Sequence, residues 1–385
     1  MMHGEHDSRA QLAILQARLV AWLVNDAYPL WARRGIDPHG GFIEALGPDG
    51  VGLPLARRAR VHPRQVYAFA QARAFGWAGD VTGIVSRGME YFTAHYCRND
   101  GMFRALAAAD GTPLDDRALL YDQAFALLGL AAAAAALDAH DEFEARALTL
   151  RGLIERRLST ADGSLRSEET AAAVRESNPH MHLLEACLAW AEIGADAGWT
   201  AWVRRLVELA LERFIRKDSG ALGESYDSMW RPAPGIAGRI IEPGHQFEWA
   251  WLLHRCERWH PLPLRETALR LISIGDEFGV HNGVAINALH DDFTVHDPNA
   301  RFWPQTERLK AALLAAALTG EARYWSMAEA AAMSWIPYLS TAVPGLWLDL
   351  RLPSGELVDS PAPASTFYHL VGAIVALNHA PSRSA

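Results

Sequence analysis

A glycine-centred turn recurs six times along the chain, and its even spacing constrains the fold more than any other feature. The glycines are Gly41, Gly101, Gly163, Gly220, Gly283 and Gly345. They are 60, 62, 57, 63 and 62 residues apart, and apolar residues follow each of them. Because such a period marks repeated supersecondary units, we expect six similar units in one domain spanning residues 1–385.

Two helices are predicted between successive turns. The more apolar helices are predicted at residues 64–77, 119–137, 179–194, 244–259, 304–318 and 365–378. The more amphipathic helices are predicted at residues 11–31, 81–96, 142–158, 199–215, 263–278 and 321–339. Short connections follow the apolar helices, and loops of roughly twenty residues with a strand-turn-strand pattern follow the amphipathic ones.

This alternation favours an all-α fold, an (α/α)6 barrel of twelve helices. The apolar helices would form the inner ring, and all the long loops, with short β-hairpins, would lie at one end. An open helical solenoid is the alternative, but it would need polar caps that neither terminal repeat shows.

The composition narrows the class of partner and the compartment. A net charge of −9 and the lack of a basic run argue against nucleic acid and anionic membranes. The N-terminal segment has no apolar stretch typical of a signal peptide. Cys97, Cys187 and Cys256 lie far apart, which favours reduced thiols and a cytoplasmic protein. A small molecule is therefore the expected partner, with a monomer and a homodimer both open.

Polar residues recur where each apolar helix begins, just after its long loop. In chain order they are Arg60 and Arg64; Tyr121, Asp122 and Gln123; Asn178, His180 and His182; His245 and Glu248; Trp303, Gln305 and Glu307; and Tyr368 and His369. In a closed ring these helix ends meet, and helix N-termini around one cavity suit a polar ligand. His180 lies two residues from His182, on another helical face, and is expected to be structural.

The residue types suit proton abstraction beside a sugar carbonyl. Neutral imidazoles serve as general acids and bases near pH 7. Glu248, one turn from His245, would orient that ring or raise its basicity. Arg60 would stabilise an enediolate oxygen, and Trp303 would stack on the sugar.

A metal or cofactor is not expected. His182, His245 and Glu248 form the one two-histidine, one-carboxylate set that merits testing as a metal site. No HExxH motif, Cys/His cluster or phosphate-binding loop is present.

Five segments in order resemble the N-acylglucosamine 2-epimerase superfamily: residues 60–70, 178–186, 242–249 and 302–307, and the Tyr368-His369 pair. The resemblance implies a cofactor-free (α/α)6 sugar epimerase or isomerase. It makes His369 and His245 the acid–base pair around C1 and C2, gives His182 a role in ring opening or in holding the open chain, and makes Glu248 the support of His245. The expected substrate-binding residues are Arg60, Tyr121, Asn178, Trp303 and Glu307.

Within that family the chain looks most like the D-mannose isomerases. A proline-rich segment, 361–367, leads into Tyr368-His369, and Ala364 and Phe302 stand where cellobiose epimerases carry tryptophan. These smaller residues and the lack of an extra cationic cluster favour a neutral monosaccharide. We therefore expect interconversion of D-mannose and D-fructose. The alternatives are a sugar 2-epimerase, an (α/α)6 glycoside hydrolase and a non-catalytic sugar-binding protein.

Overall fold

Six inner helices stand side by side and are surrounded by six outer helices. The computed structural model describes residues 2–169, 174–261 and 263–380. The inner helices are α3 (Val61–Ala70), α5 (Leu120–Leu137), α7 (Ser177–Ile193), α9 (Pro243–Cys256), α11 (Trp303–Thr319) and α14 (Ala364–His379). The outer helices are α1 (Met2–Trp22), α4 (Val81–Tyr96), α6 (His140–Leu158), α8 (Gly198–Leu209), α10 (Arg265–Gly279) and α12 (Ala322–Met333). The short helices α2 (Tyr28–Arg34) and α13 (Trp335–Tyr338) follow α1 and α12.

The inner ring is closed. Each inner helix contacts the next one along the chain, and α14 returns to pack against α3. The outer helices sit over the joints: α4 packs on α3 and α5, α10 packs on α9 and α11, and α1 contacts α12 and α14. The fold is therefore the predicted (α/α)6 barrel, and the open solenoid is wrong.

The composition of α5 shows why an inner helix is apolar on every side. From Leu120 to Ala134 every residue except Tyr121 is buried. A Cβ added at Gly129 would lie 2.5 Å from Pro63 Cβ, so glycine allows α3 and α5 to approach closely. By length and mean hydropathy α5 is the one described helix that could cross a membrane, but 78% of it is buried inside the protein. Its hydrophobicity is accounted for by the core.

Four predicted helices differ from the structure by more than three residues at an end. Helices α8 and α12 each end six residues early, at Leu209 and Met333, and are followed by a π-helical turn and by α13. Helix α3 begins at Val61, not residue 64, because Pro63 falls in the first turn, where proline is tolerated. It ends at Ala70, and a 3₁₀ turn leads to Gly76 at a φ of 82°. Helix α1 begins at Met2, nine residues before the predicted start, and continues through a π-helical turn, Leu23–Ala27, into α2.

The long loops all lie at the N-terminal end of the inner helices, and short antiparallel strands join each loop to the next. The joined segments are 57–58 with 106–107, 175–176 with 225–226, 240–241 with 288–290, 300–301 with 350–351, and 45–46 with 362–363. A bridge between Leu119 and Glu168 supplies the remaining junction. The predicted hairpins occur within the segments 106–115 and 280–297. Most strand pairs instead connect one long loop to the next, so that the loops form a closed rim.

The repeated turn has the same anchor in several repeats. A glutamine near the start of the next inner helix bonds the backbone just after the turn glycine. Gln123 accepts from Phe103 N at 2.9 Å, and Gln305 accepts from Ala285 N at 2.7 Å. These glutamines therefore hold the loops in place. In the first repeat, Gly40 and not Gly41 has the positive φ, 92°.

Candidate active site

A polar cavity of about 400 Å³ opens at the loop end of the barrel. Seven of the nine predicted site residues line it: Tyr121, Asn178, His182, His245, Glu248, Trp303 and His369. Arg58, Arg64, Glu242, Arg301, Asp349 and Thr366 also line it. Five of the six inner helices contribute predicted residues. The polar residues that recur at the start of the inner helices therefore line one shared cavity.

His369, in the second turn of α14, is held from behind by α11. Its Nδ1 lies 2.9 Å from Glu307 Oε1, and Lys310 Nζ donates to Glu307 Oε2 at 2.6 Å. Burial lowers the pKa of His369 to about 4, and the hydrogen bond that its Nδ1–H donates to Glu307 offsets only part of that effect. His369 is thus a neutral imidazole at pH 7 whose Nε2 remains available for the cavity.

Glu307 does not line the cavity, although the sequence assigned it to substrate contact. It lies one turn after Trp303 on α11, and both of its oxygens are engaged by His369 and Lys310. The four-residue spacing between Trp303 and Glu307 correctly predicted that both lie on one face of the helix. It could not predict that Glu307 lies deeper along the barrel axis than the cavity. Its role is to position His369.

His245, at the start of α9, faces two carboxylates from the loops. Its Nδ1 lies 2.9 Å from Glu224 Oε2 and 3.8 Å from Glu242 Oε2. Burial alone would lower the pKa of His245, but the charges of Glu224 and Glu242 outweigh it and raise the pKa to about 10. His245 is thus an imidazolium at pH 7.

Sequence reasoning assigned the support of His245 to Glu248 and missed Glu224. The Nδ1 edge of His245 turns up toward the loops, whereas Glu248 sits one turn deeper on the barrel axis. A usable signal existed, because Glu224 stands four residues after a turn glycine. Glu44 and Asp349 occupy the same position relative to Gly40 and Gly345.

His182 and Glu248 meet deeper in the cavity. His182 Nδ1 lies 3.3 Å from Glu185 Oε2 and 3.9 Å from Glu248 Oε1. Burial lowers the pKa of His182 to about 3 despite the hydrogen bond to Glu185. Both Glu248 oxygens are buried and receive no hydrogen bond from the described residues. Burial and the nearby Glu307 charge raise the pKa of Glu248 well above its usual range, so it can donate a proton to a ligand.

The arginine that reaches the cavity is Arg64, not Arg60. Arg60 donates to the buried Asp122 at 2.9 Å and stacks over the Tyr121 ring. Arg64 lies one helical turn further on and donates to the Tyr121 hydroxyl at 2.7 Å and to the Ser365 carbonyl at 3.3 Å. Arg60 is therefore held behind Tyr121, while Arg64 places its guanidinium group in the cavity lining.

Two further arginines lie in the cavity lining, where the sequence was expected to hold no cationic cluster. Arg58 donates through Nε to Glu44 at 2.6 Å. Arg301 is half-buried, 3.7 Å from Glu242 and over the face of Trp303. Both come from short strands of the rim, which helical periodicity does not predict.

Trp303 lies between the two catalytic candidates. Its ring centroid is 5.2 Å from that of His245 and 5.4 Å from that of His369. A planar apolar surface flanked by two imidazoles suits a sugar stacked across the tryptophan, with hydrogen-bonding groups on either side.

Among the described residues, three groups of side chains have donor atoms close enough to share a metal ion, with all donors of a group within 4.8 Å of one another. They are His182 with Glu185 and Glu248; His245 with Glu224 and Glu242; and His369 with Glu248 and Glu307. The set considered from sequence, His182 with His245 and Glu248, is not among them. Activity without a metal remains a prediction.

The chain is similar to a known family and to sugar isomerases over nearly its whole length. The family model for N-acylglucosamine 2-epimerase (GlcNAc 2-epimerase) matches residues 41–373. A mannose-6-phosphate isomerase from Rhizobium meliloti is 44% identical over 374 residues, covering 94% of this chain and 97% of the relative. A D-mannose isomerase from Marinomonas mediterranea is 25% identical, covering 88% and 91%.

Solved structures show the same fold. A D-mannose isomerase superposes with a TM-score of 0.85 at 22% identity, covering 95% of this chain and 97% of that one. Cellobiose 2-epimerase from Spirochaeta thermophila superposes with a TM-score of 0.84 at 23% identity, covering 96% and 97%.

The chain belongs to the N-acylglucosamine 2-epimerase family. It is an isomerase-class enzyme of the sugar isomerase and epimerase group, as the motifs around Arg60, His182, His245, Trp303 and His369 predicted.

Proposed function

We propose that the protein interconverts D-mannose and D-fructose as a cofactor-independent aldose–ketose isomerase in the cytoplasm. The observation that carries this proposal is the asymmetry of the two histidines that flank Trp303. At pH 7 His369 is a neutral base, and His245 is an imidazolium.

That asymmetry supports a single-base mechanism. His369 removes the proton from C2 of the open-chain aldose, and the electron pair moves through C1 toward O1. His245, as an imidazolium, donates a hydrogen bond to O1 and stabilises the enediolate. His369 then returns the proton to C1, while O2 becomes the ketone carbonyl and its proton passes to O1. The net change is one hydrogen moved from C2 to C1 and one moved from O2 to O1.

The same asymmetry disfavours epimerisation. A 2-epimerase delivers a proton to the opposite face of C2, and the group that delivers it must act as a base in the reverse direction. Since the pKa of His245 is about 10, it would be an imidazolium at neutral pH and unsuited to that step.

A second candidate, isomerisation of a phosphorylated sugar, is favoured by Arg58, Arg64 and Arg301 in the cavity lining and by the relative named mannose-6-phosphate isomerase. Each of the two rim arginines is accompanied by an acid, Glu44 or Glu242, which reduces the positive charge offered to an anion. We therefore keep the neutral hexose as the first proposal.

The test is incubation of the purified enzyme with mannose, mannose 6-phosphate, glucose, N-acetylmannosamine and cellobiose, followed by product separation. We expect fructose from mannose, with kcat/KM higher than for mannose 6-phosphate, and unchanged activity after exhaustive chelation. A preference for the phosphate ester that Arg301→Gln abolishes would support the second candidate. Glucose as the main product from mannose would indicate a 2-epimerase.

A further inference from the structure

A second cavity, of about 490 Å³, lies on the barrel axis at the end opposite the long loops. Its mouth lies among the C-terminal ends of inner helices, where Ile193, Arg255, Ala317 and His379 line it. Its inner end reaches Glu307 and other buried polar groups that stand behind the active site. This axial cavity has the size of a small-molecule pocket.

Small side chains create the space. Ala131, Ala132, Ala189 and Ala317 line the walls together with Gly372. The nearest heavy atom to a Cβ built on Gly372 is the Tyr67 hydroxyl, at 3.8 Å. A larger side chain at residue 372 would therefore enter open space.

The floor of the axial cavity carries an excess of negative charge. Glu185 and Glu307 line it with a single cation, Lys310. Burial would raise the pKa of Glu185, but the hydrogen bond to His182 and the charge of Lys310 lower it to about 2, so it is ionised. At the rim, Arg255 pairs with Glu192 at 2.8 Å and adds no net charge.

Two further features favour a cation. The C-terminal ends of the inner helices carry partial negative charge from their unpaired carbonyls. The aromatic rings of Tyr67, Trp251 and Tyr368 line the walls, and such faces attract ammonium groups. Lys310 Nζ already lies 5.6 Å from the Trp251 ring centroid.

We propose that the axial cavity is a second ligand site that binds an organic ammonium ion with an apolar chain. The ammonium group sits at the floor beside Glu185, whose carboxylate has acceptor positions beyond its bond to His182. The chain lies against the apolar walls formed by residues such as Leu128, Leu313 and Val375. The axial cavity shares His369 with the sugar cavity, but its mouth lies at the opposite end of the barrel, and the proposal does not depend on the reaction proposed for the sugar cavity.

The test measures calorimetric binding of n-hexylammonium, n-hexanol and hexanoate to the purified protein. We expect n-hexylammonium to bind at least tenfold more tightly than n-hexanol, and hexanoate to bind most weakly. Equal affinity for the alcohol and the ammonium ion would overturn the charge argument, and no binding of n-hexylammonium would overturn the site.

Variants locate the binding. Gly372→Phe should abolish n-hexylammonium binding by filling the cavity, while Gly372→Ala should retain it. If Gly372→Phe fails to fold, Ala317→Trp at the mouth tests the same prediction. Trp303→Ala, in the sugar cavity, should leave n-hexylammonium binding unchanged. Binding that survives both filling variants, or that Trp303→Ala removes, would show that the ligand lies elsewhere.

Discussion

The two histidine centres of the sugar cavity have similar local geometry but different charge: His369 is neutral and His245 is a cation. Each ring places Nδ1 2.9 Å from a carboxylate oxygen. The carboxylate behind His369 is shared with Lys310, which neutralises it, whereas His245 faces Glu224 and Glu242 together. Both rings are buried and each bonds one carboxylate, so the difference in their pKa follows from the surrounding charges: His245 lies beside two carboxylates, and His369 beside one that is paired with Lys310.

Removing either ring should have the largest effect on turnover. His369→Ala removes the base and His245→Ala removes the cation, so we expect kcat to fall roughly 10²–10⁴-fold in each. Sugar binding, measured by calorimetry, should remain detectable because only interactions of the transition state are lost. Near-normal kcat in His369→Ala would exclude it as the base.

Lys310→Met should make His369 more basic, and so bring its protonation state closer to that of His245. Without the lysine, the full charge of Glu307 acts on His369, so its pKa should rise from about 4. Since only the neutral ring accepts a proton, the acid limb of the kcat/KM profile should move up toward neutral pH. The variant should also lose about 3–5 kcal/mol of stability, because a buried charge loses its partner.

The matched control for this change is Lys310→Arg, which keeps the cation and should keep the acid limb near its original position. A folded Lys310→Met enzyme with an unmoved acid limb would show that Lys310 does not set the charge of His369.

Glu224→Gln should convert His245 toward the state of His369. The loss of the nearest negative charge should lower the pKa of His245 from about 10, so the imidazolium is lost at lower pH. The alkaline limb of kcat/KM should therefore move down by more than in Glu242→Gln, since Glu242 is 3.8 Å from the ring nitrogen. An alkaline limb that stays in place in both variants would rule out His245 as its source.

Trp303→Ala should have the smallest effect on chemistry. The stacking surface between the two histidines contributes about 0.5–1.5 kcal/mol, so KM should rise a few-fold to about tenfold with a smaller change in kcat. A collapse of kcat with KM unchanged would instead mean that Trp303 orients the histidines.

The two histidine centres also show which parts of the site can be predicted from the sequence: the histidines lie on helices, whereas Glu224 lies on a loop. The repeat period predicted a closed ring of helices, and the alternation of short and long connections predicted that the N-terminal ends of α7, α9, α11 and α14 meet. His182, His245, Trp303 and His369 could therefore be placed in one cavity from the sequence. Residues on the loops were not found, because the partner of a loop residue depends on how neighbouring loops pair.

The structure departs from the sequence-based expectation at three points, and only the first has that cause. Glu224 comes from a loop, and Glu307 has the right helical face but lies too deep to meet the ligand. Arg60 and Arg64 lie one turn apart on the same face. Arg60 points away from the cavity because it bonds the buried Asp122, a contact that the spacing does not predict.

The most direct test of the mechanism is conversion of mannose in D₂O, with the position of deuterium followed by NMR as the products form. If His369 moves one hydrogen from C2 to C1 on a single face, fructose should be the first product. It should carry deuterium at C1 at less than full occupancy, because part of the original proton returns before it exchanges. Glucose labelled at C2 that accumulates first, with fructose only trailing it, would contradict the single-base account and show a 2-epimerase.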